Sequence, residues 1–410
     1  MRYVPREIEP QILRFMEDPE ILAISGPRQS GKTTLLKRFY EQLVQQHGAQ
    51  QVHYVNLEDE LEKQRFVQNP REYIEFYQRT APSRRHYFLF DEVQYIEQAG
   101  KLFKLLFDTY PNIKFIVTGS ASLDIAGLGQ HLVGRILFFS LYPFSFAEML
   151  KARDERLYLE YQEHRFSLTD PEVVTSPFLD RLSALLQEYV IYGGYPRVVL
   201  EPEPDKKITL LRNLFTTYVE KDVIALFGKS YREKVVTVLQ YLAGILGTLV
   251  NYQDVSRVAS VHFKELKTVL SILEQTYVIQ PIKPFHRNVV SELKKNPKYY
   301  FRDTGLRNAL LNQFQFSPVE QGALLENYVF VRFQEQPLAF WRTTGKAEVD
   351  FILKEQLVPI EVKLQPKITP SLTSFIRHYH PSLAIVANAD QSFMEMRNDT
   401  PVYGVPLALL

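Results

Sequence analysis

The chain has 410 residues, 45% of them hydrophobic and 23% charged. This is ordinary globular composition with length for about two to four domains, and it excludes disordered, collagen-like and coiled-coil arrays. Lys and Arg number 48 against 47 Asp and Glu, a formal net charge of +1, so a polycation is excluded while a local basic face is not. There are no cysteines, which excludes disulfides, thiolate zinc sites and a cysteine nucleophile and fits a reducing compartment. The first fifteen residues hold Pro5, Glu7 and Glu9 and no apolar run, unlike a secretory leader. No stretch approaches the ~18 uninterrupted apolar residues that a membrane helix needs. The chain reads as cytoplasmic, with no membrane contact.

Residues 21–25 form a short apolar run that ends in a Gly-bearing turn, and residues 32–46 follow with helical spacing. Residues 52–57, 87–90 and 113–118 read as further strands with helical segments between them. Strands alternating with helices predict a parallel sheet covered on both faces. A polar stretch over 154–177 reads as a helix followed by a loop, and 178–252 has mostly helical spacing. Within it, residues 236–249 are mostly apolar, interrupted by Gln240, and read as a buried helix. Segments 253–258 and 263–274 then read as helices, and 277–281 and 298–301 as strands, the order of a winged helix. From 322 to 410 the pattern is helix, strand, strand, helix, strand.

The run Gly26-Pro27-Arg28-Gln29-Ser30-Gly31-Lys32-Thr33, followed by Thr34, matches G-x-x-x-x-G-K-[ST] between a strand and a helix. Glycines let such a loop turn its backbone N–H groups onto phosphate oxygens, and the helix N-terminus adds its dipole. Lys32 is positioned for the β- and γ-phosphates and the Thr33 hydroxyl for Mg²⁺. The strand 87–90 leads into Asp91 and Glu92. Asp91 suits Mg²⁺ through its water shell, and Glu92 suits polarising the attacking water. The strand carrying Thr118 and Ser120 offers a hydroxyl to the γ-phosphate or the water, although a plain strand-to-turn junction fits equally well. Gly134-Arg135 precedes a strand-like run. Arg135 reads either as an arginine finger, in cis or on a neighbouring subunit, or as an exposed structural arginine.

These four elements, in this order, resemble an AAA+-type P-loop ATPase over about the first 150 residues. The resemblance implies ATP and Mg²⁺ as ligands. A finger role for Arg135 would further imply a homo-oligomer. The runs 141–148, 192–196 and 218–222 are similar to those of a group of prokaryotic ATPases with an uncharacterised C-terminal domain. No chemistry attaches to them, and Gly193 and Gly194 read as a tight turn.

Between 229 and 303, basic residues outnumber acidic ones by about two to one. Lys264 and Lys267 fall on the second helix, Lys283, His286 and Arg287 near the hairpin tip, and Lys294, Lys295 and Lys298 after it. A basic helix with a basic hairpin suits duplex DNA. A solvated face packed against the ATPase is the other reading.

Glu348-Val349-Asp350-Phe351-Ile352-Leu353 and Pro359-Ile360-Glu361-Val362-Lys363 follow. Glu361 and Lys363 lie two apart, hence on one face of a strand. If the two strands pair, Asp350 and Glu361 converge on one hard cation, Mg²⁺ or Mn²⁺, with Lys363 beside the scissile phosphate. Glu326, in a helical run upstream, is a candidate third carboxylate. The set resembles the PD-(D/E)xK nuclease superfamily over roughly the last 90 residues, with Val349 where a Pro often stands. A Glu361–Lys363 salt pair on an ordinary strand is the plainer alternative. His378 and His380 read as a helix end, and Trp341 as core or a base-stacking residue.

The expected class is α/β: a P-loop parallel-sheet ATPase domain (1–150), a helical connector (151–228), a winged-helix-like domain (229–305) and an α/β restriction-endonuclease-like domain (306–410). The expected function is an ATP-hydrolysing, DNA-binding protein with a metal-dependent endonuclease acting on duplex or branched DNA, such as a Holliday junction. The alternative is a nucleotide-dependent switch whose nuclease-like domain is inactive and serves interaction.

Overall fold

A computed structural model describes residues 3–120, 128–218, 228–285, 295–316 and 321–410. The chain divides into two compact units: residues 1–143 with 275–277, and residues 144–274 with 278–410.

The first unit is built on five strands: β1 (Ile21–Ser25), β2 (Val52–Asn56), β3 (His86–Asp91), β4 (Ile113–Gly119) and β5 (Ile136–Ser140). They pair in the order β2-β3-β4-β1-β5, all parallel. Alternate residues serve opposite faces. Ile21, Ala23, Phe88 and Phe90 enter one apolar layer, while Leu22, Ile24, Tyr87 and Leu89 enter the other. The three central strands, β1, β3 and β4, are buried along their whole length, as a strand covered on both faces requires, while the edge strands β2 and β5 are only partly buried. On this sheet His86 Nε2 donates to the Ala81 carbonyl at 3.0 Å, so its Nδ1 accepts from His53 Nε2 at 3.1 Å. Burial, then the neighbouring His86, lowers the His53 pKa to about 4.

The second unit opens with helices. Helix Leu179–Tyr192 ends at Gly193, whose φ is +73°. A side chain on Gly194 would place its Cβ 2.1 Å from the Phe144 carbonyl oxygen. Gly194 donates to Asp303 Oδ2 at 2.7 Å, and Asp303 also caps helix Thr304–Leu311. The glycine pair is therefore a buried turn, as its sequence suggests. Of the run 218–222, only Tyr218 falls within the described residues.

Helices Arg232–Gly244, Tyr252–Ala259 and Phe263–Gln275 precede an antiparallel pair, β6 (Ile279–Ile282) and β7 (Lys298–Phe301). A six-stranded sheet follows: β8 (Leu338–Arg342), β9 (Glu348–Leu353), β10 (Val358–Val362), β11 (Ala384–Asn388), β12 (Phe393–Arg397) and β13 (Thr400–Pro406). Its order is β12-β13-β11-β10-β9-β8. β8, β9 and β10 are antiparallel neighbours, while β10, β11 and β13 run parallel. β8, β12 and β13 are three strands more than the sequence pattern predicts. β12 is an edge strand that exposes Met394 and Met396, and β13 carries Pro401, Gly404 and Pro406, all strand-breaking types. Trp341 is core, edge-on to Phe375, and His380 is the C-cap of helix Pro370–Tyr379. Among the described residues, no helix is long and apolar enough to cross a membrane.

Candidate functional sites

The phosphate loop follows β1 directly. Gly26 (φ +156°), Gln29 (φ +61°) and Gly31 (φ +102°) all depart from ordinary right-handed geometry. A Cβ on Gly26 would lie 2.2 Å from the Leu141 carbonyl oxygen, so only glycine fits there. Pro27 is buried beside it. Helix Lys32–His47 starts at Gly31 without a side-chain cap, which leaves its first amides as donors into the loop. Lys32 is nearly buried, and its ammonium donates to the carbonyls of Gly26 and Pro27, both at 3.0 Å. Thr33 is half-buried and Thr34 exposed on the first helical turn. Among the described residues, Ser30 Oγ is buried without a hydrogen-bond partner. A buried hydroxyl lacking a partner is costly in a closed core, and a phosphate oxygen in the loop would supply one.

Because β4 lies between β1 and β3, the end of β4 sits between the phosphate loop and the acidic pair. Thr118 uses this place structurally. Its hydroxyl donates to Asp91 Oδ1 and accepts from the Glu92 amide at 3.1 Å. Tyr54 OH donates to Asp91 Oδ2 at 2.7 Å. Asp91 is thus clamped from β2 and β4. Glu92 has a left-handed backbone (φ +62°), and its carboxylate accepts from the Gln94 side-chain Nε2. Ser120 is buried just past β4. Arg135 stands elsewhere. Its carbonyl accepts from Ile21 N at 2.8 Å, at the start of β1, whereas the loop follows the end of β1. Its guanidinium donates to Asp108 at 2.8 Å. This end of the sheet is out of reach of the same chain's phosphate loop.

Two residues near the loop escape sequence reasoning. Arg6 is buried and donates to the carbonyls of Ser30 at 2.9 Å and Tyr142 at 2.7 Å. Tyr277, which groups with the first unit, has its hydroxyl 2.7 Å from Ser25 Oγ. Neither lies in a local motif that would have flagged it.

The second constellation is in the C-terminal sheet. Phe351 pairs with Ile360 across β9 and β10, so Asp350 and Glu361 are the next residues along that ladder. Asp350 Oδ2 accepts from the Val362 amide at 2.8 Å. Lys363 Nζ lies 3.5 Å from Asp350 Oδ2 and 3.3 Å from Glu361 Oε1. Both Glu361 oxygens accept from Thr369 Oγ1, at 2.8 and 2.7 Å. Burial raises the Glu361 pKa, against the pull of Thr369 and Lys363. Burial alone would lower that of Lys363, but Asp350 and Glu361 hold it above its ordinary value. Two carboxylates within reach of one ammonium form a hard-oxygen donor set that suits Mg²⁺ or Mn²⁺.

Glu326 lies on helix Gln321–Phe333. Asn327 fixes that helix, exchanging two 2.8 Å hydrogen bonds with the backbone of Phe301 in β7. Glu326 consequently faces β7, where it accepts from Lys298 Nζ at 3.2 Å and from Tyr300 OH. Burial and then the Asp350 charge push its pKa up. Among the described residues, Glu326, Asp350 and Glu361 do not bring their ligating oxygens within 4.8 Å of one another. Lys298 is also a correction. The sequence places it with the hairpin's basic residues, yet it is 1% exposed and meets Glu348 at 2.7 Å. Lys264, Lys267 and Lys295 are exposed and Lys283 is half-buried. His286, Arg287 and Lys294 lie outside the described residues.

Three family models match successive parts of the chain. Residues 18–150 match the AAA domain family, residues 183–317 a domain of unknown function, DUF8612, and residues 321–407 another, DUF4143. An uncharacterised protein of Haemophilus influenzae is 29% identical over 357 residues, covering 84% of this chain and 82% of its own. An uncharacterised protein of Mycobacterium tuberculosis is 22% identical over 382 residues, covering 91% and 76%. Among solved structures, AMPPCP-bound DnaA from Aquifex aeolicus is similar over 66% of this chain and 91% of its own, at 12% identity and a TM-score of 0.32. That likeness is too weak to bear on function. Residues 18–150 thus carry an AAA-type P-loop ATPase domain, built on a parallel five-stranded sheet.

Proposed function

We propose that the chain is an ATP-hydrolysing, DNA-binding protein whose C-terminal cluster is a metal-dependent endonuclease site. The observation that carries the reading is the convergence of Asp350 and Glu361 on Lys363 across paired strands. The order of helix Gln321–Phe333, antiparallel β8-β9-β10, helix Pro370–Tyr379 and parallel β11 supports a PD-(D/E)xK-like core.

In the first unit, Gly26, Pro27, Gln29, Ser30, Gly31 and Thr34 shape the loop around the phosphates. Lys32 turns from the loop carbonyls to the β- and γ-phosphates. Thr33 and Asp91 would hold Mg²⁺, which neutralises charge that develops on the transferred phosphoryl group. Glu92 takes the proton of the attacking water, and Ser120 borders it. Arg135 acts on the nucleotide of a neighbouring copy in a homo-oligomer. In the second unit, Asp350 and Glu361 would hold Mg²⁺ or Mn²⁺, which polarises the scissile phosphate. Lys363 then stabilises the charge that builds on that phosphate. The three helices and the β6–β7 pair form the winged-helix module, with Lys264, Lys267, Lys283 and Lys295 on DNA phosphates and Arg287 and Lys294 completing the set.

The test is a nuclease assay on linear, single-stranded and four-way-junction DNA with Mg²⁺ or Mn²⁺, with and without ATP, beside Asp350→Ala. Cutting that the variant loses supports the reading, and no cutting on any substrate refutes it. One observation favours the alternative, a nucleotide-dependent switch with an inactive nuclease-like domain: Lys298 already occupies part of the carboxylate cluster. Under that reading Glu361→Ala leaves biological activity unchanged.

A further inference from the structure

By direct ion pair, the carboxylates of the C-terminal cluster fall into two sets, each on one lysine, while the Asp350 charge also reaches Lys298 at longer range. Asp350 and Glu361 face Lys363, which is 38% exposed. Glu326 and Glu348 face Lys298, which is 1% exposed. This difference decides how each ammonium behaves. Lys363 can swing into solvent and yield its place to an ion. Lys298 has no such exit. Its backbone, the first residue of β7, is fixed opposite Ile282 of β6 and bridges to Leu249, and its ammonium lies 5.4 Å from the centre of the Phe340 ring. The partner oxygens are committed too. Glu326 Oε1 takes both Lys298 and Tyr300 OH, and Glu348 gives Oε1 to Lys298 and Oε2 to Arg342 at 3.1 Å. An ion entering here would have to eject a buried ammonium that has no water to receive it.

We propose that Lys298 is a tethered cation that permanently fills the Glu326–Glu348 pair, so that the cluster takes a single divalent ion, at Asp350 and Glu361. The inference deepens, and rests on, the reading of this cluster as a metal-dependent site. It makes Glu326 and Glu348 anchors of Lys298 and removes Glu326 from the ligand set. Lys298 supplies the positive charge that a second ion would otherwise bring near the scissile phosphate.

The test counts Mn²⁺ bound per nucleotide-free full-length chain, from the free-ion paramagnetic resonance signal. The wild type is expected to bind one ion that Glu361→Gln loses. Lys298→Met, of similar length without the charge, is expected to bind two, while Lys298→Arg stays at one. A wild-type count of two, with one lost in Glu348→Gln, overturns the proposal. So does a Lys298→Met chain that still binds one. A wild type that binds none, like Glu361→Gln, instead refutes the metal reading beneath it, and the two failures are told apart by the wild-type count. Should Lys298→Met not fold, Glu348→Gln decides. Its Mn²⁺ affinity is expected to stay within about threefold of wild type, and a tenfold loss refutes the role given to Lys298.

Discussion

If Arg135 completes the nucleotide site of a neighbouring chain, two inactive variants must rescue each other. The geometry excludes action within one chain. Arg135 lies beside the start of β1, and the phosphate loop begins after Ser25 at its other end. Five strand residues separate them, about 16 Å at ~3.3 Å per residue, beyond the span of an arginine side chain. The local role of Arg135 is small. Its ion pair with Asp108 is exposed, at 34% and 45%, and such pairs contribute at most about 1 kcal/mol. Arg135→Ala should therefore fold normally. Losing an arginine finger costs on the order of 10³ in turnover, about 4 kcal/mol of transition-state stabilisation. In a one-to-one mixture with Lys32→Ala, a working site needs an intact Lys32 in one chain and an intact Arg135 in its neighbour. Random assembly of a closed oligomer gives that combination at about a quarter of sites. Phosphate release measured against mixing ratio should peak near a quarter of the wild-type rate. A flat, near-zero profile from chains shown to co-assemble would refute the argument, as would wild-type turnover by Arg135→Ala alone.

Ser30→Ala deletes a buried hydroxyl that has no partner among the described residues, so the melting temperature without nucleotide should hold or rise. Nucleotide affinity should fall about tenfold or more through loss of a hydrogen bond to a charged oxygen, and titration calorimetry with an unchanged Kd would count against the loop reading. Gly194→Ala drives a Cβ to 2.1 Å from the Phe144 oxygen and disturbs the bond to Asp303. A cost of about 2–4 kcal/mol is expected from urea unfolding, and less than about 1 kcal/mol would show that the turn yields. His53 titrates near 4 when folded against 6.5 as an unperturbed group. The unfolded chain therefore binds the proton first as pH falls, and stability is lost between about 6.5 and 4. His53→Phe should flatten that acid limb of the melting curve, and an unchanged limb would place the sensitivity elsewhere.

What the sequence reveals here depends on how far apart the cooperating residues lie. The phosphate loop is legible because one turn holds all its parts. Asp350, Glu361 and Lys363 are legible because a two-residue period and two adjacent strands bring them together. Arg6 reaches Tyr142 across 136 positions, and nothing in its neighbourhood marks it. Thr118 was open to a role on the γ-phosphate, but only pairing of β3 with β4 shows its hydroxyl given to Asp91. The position of Arg135 relative to the loop likewise waits on strand register, which composition does not encode.

Lysines show the same limit most sharply. Lys114 and Lys298 each stand in or beside an apolar run, where an isolated buried ammonium is prohibitively costly; the sequence pattern places Lys298 on a basic face and gives Lys114 no role. The structure buries both, since each is surrounded by acceptors from distant segments. Lys114 donates to the carbonyls of Phe15, Asp18 and Glu20 at 2.7, 2.8 and 2.7 Å. Lys298 meets two carboxylates from a helix and a strand. The partners differ in kind, and so do the consequences. Carbonyls carry no net charge, and burial, followed by the charge of Arg85, lowers the Lys114 pKa to about 8. This is the pattern of a structural clasp. For Lys298 the carboxylates Glu326, Asp350 and Glu348 outweigh burial and raise the pKa, so the ammonium stays charged inside an acidic cluster. A buried cation that balances acidic side chains takes a role otherwise open to a metal ion, and for that reason Lys298, rather than Lys114, bears on function.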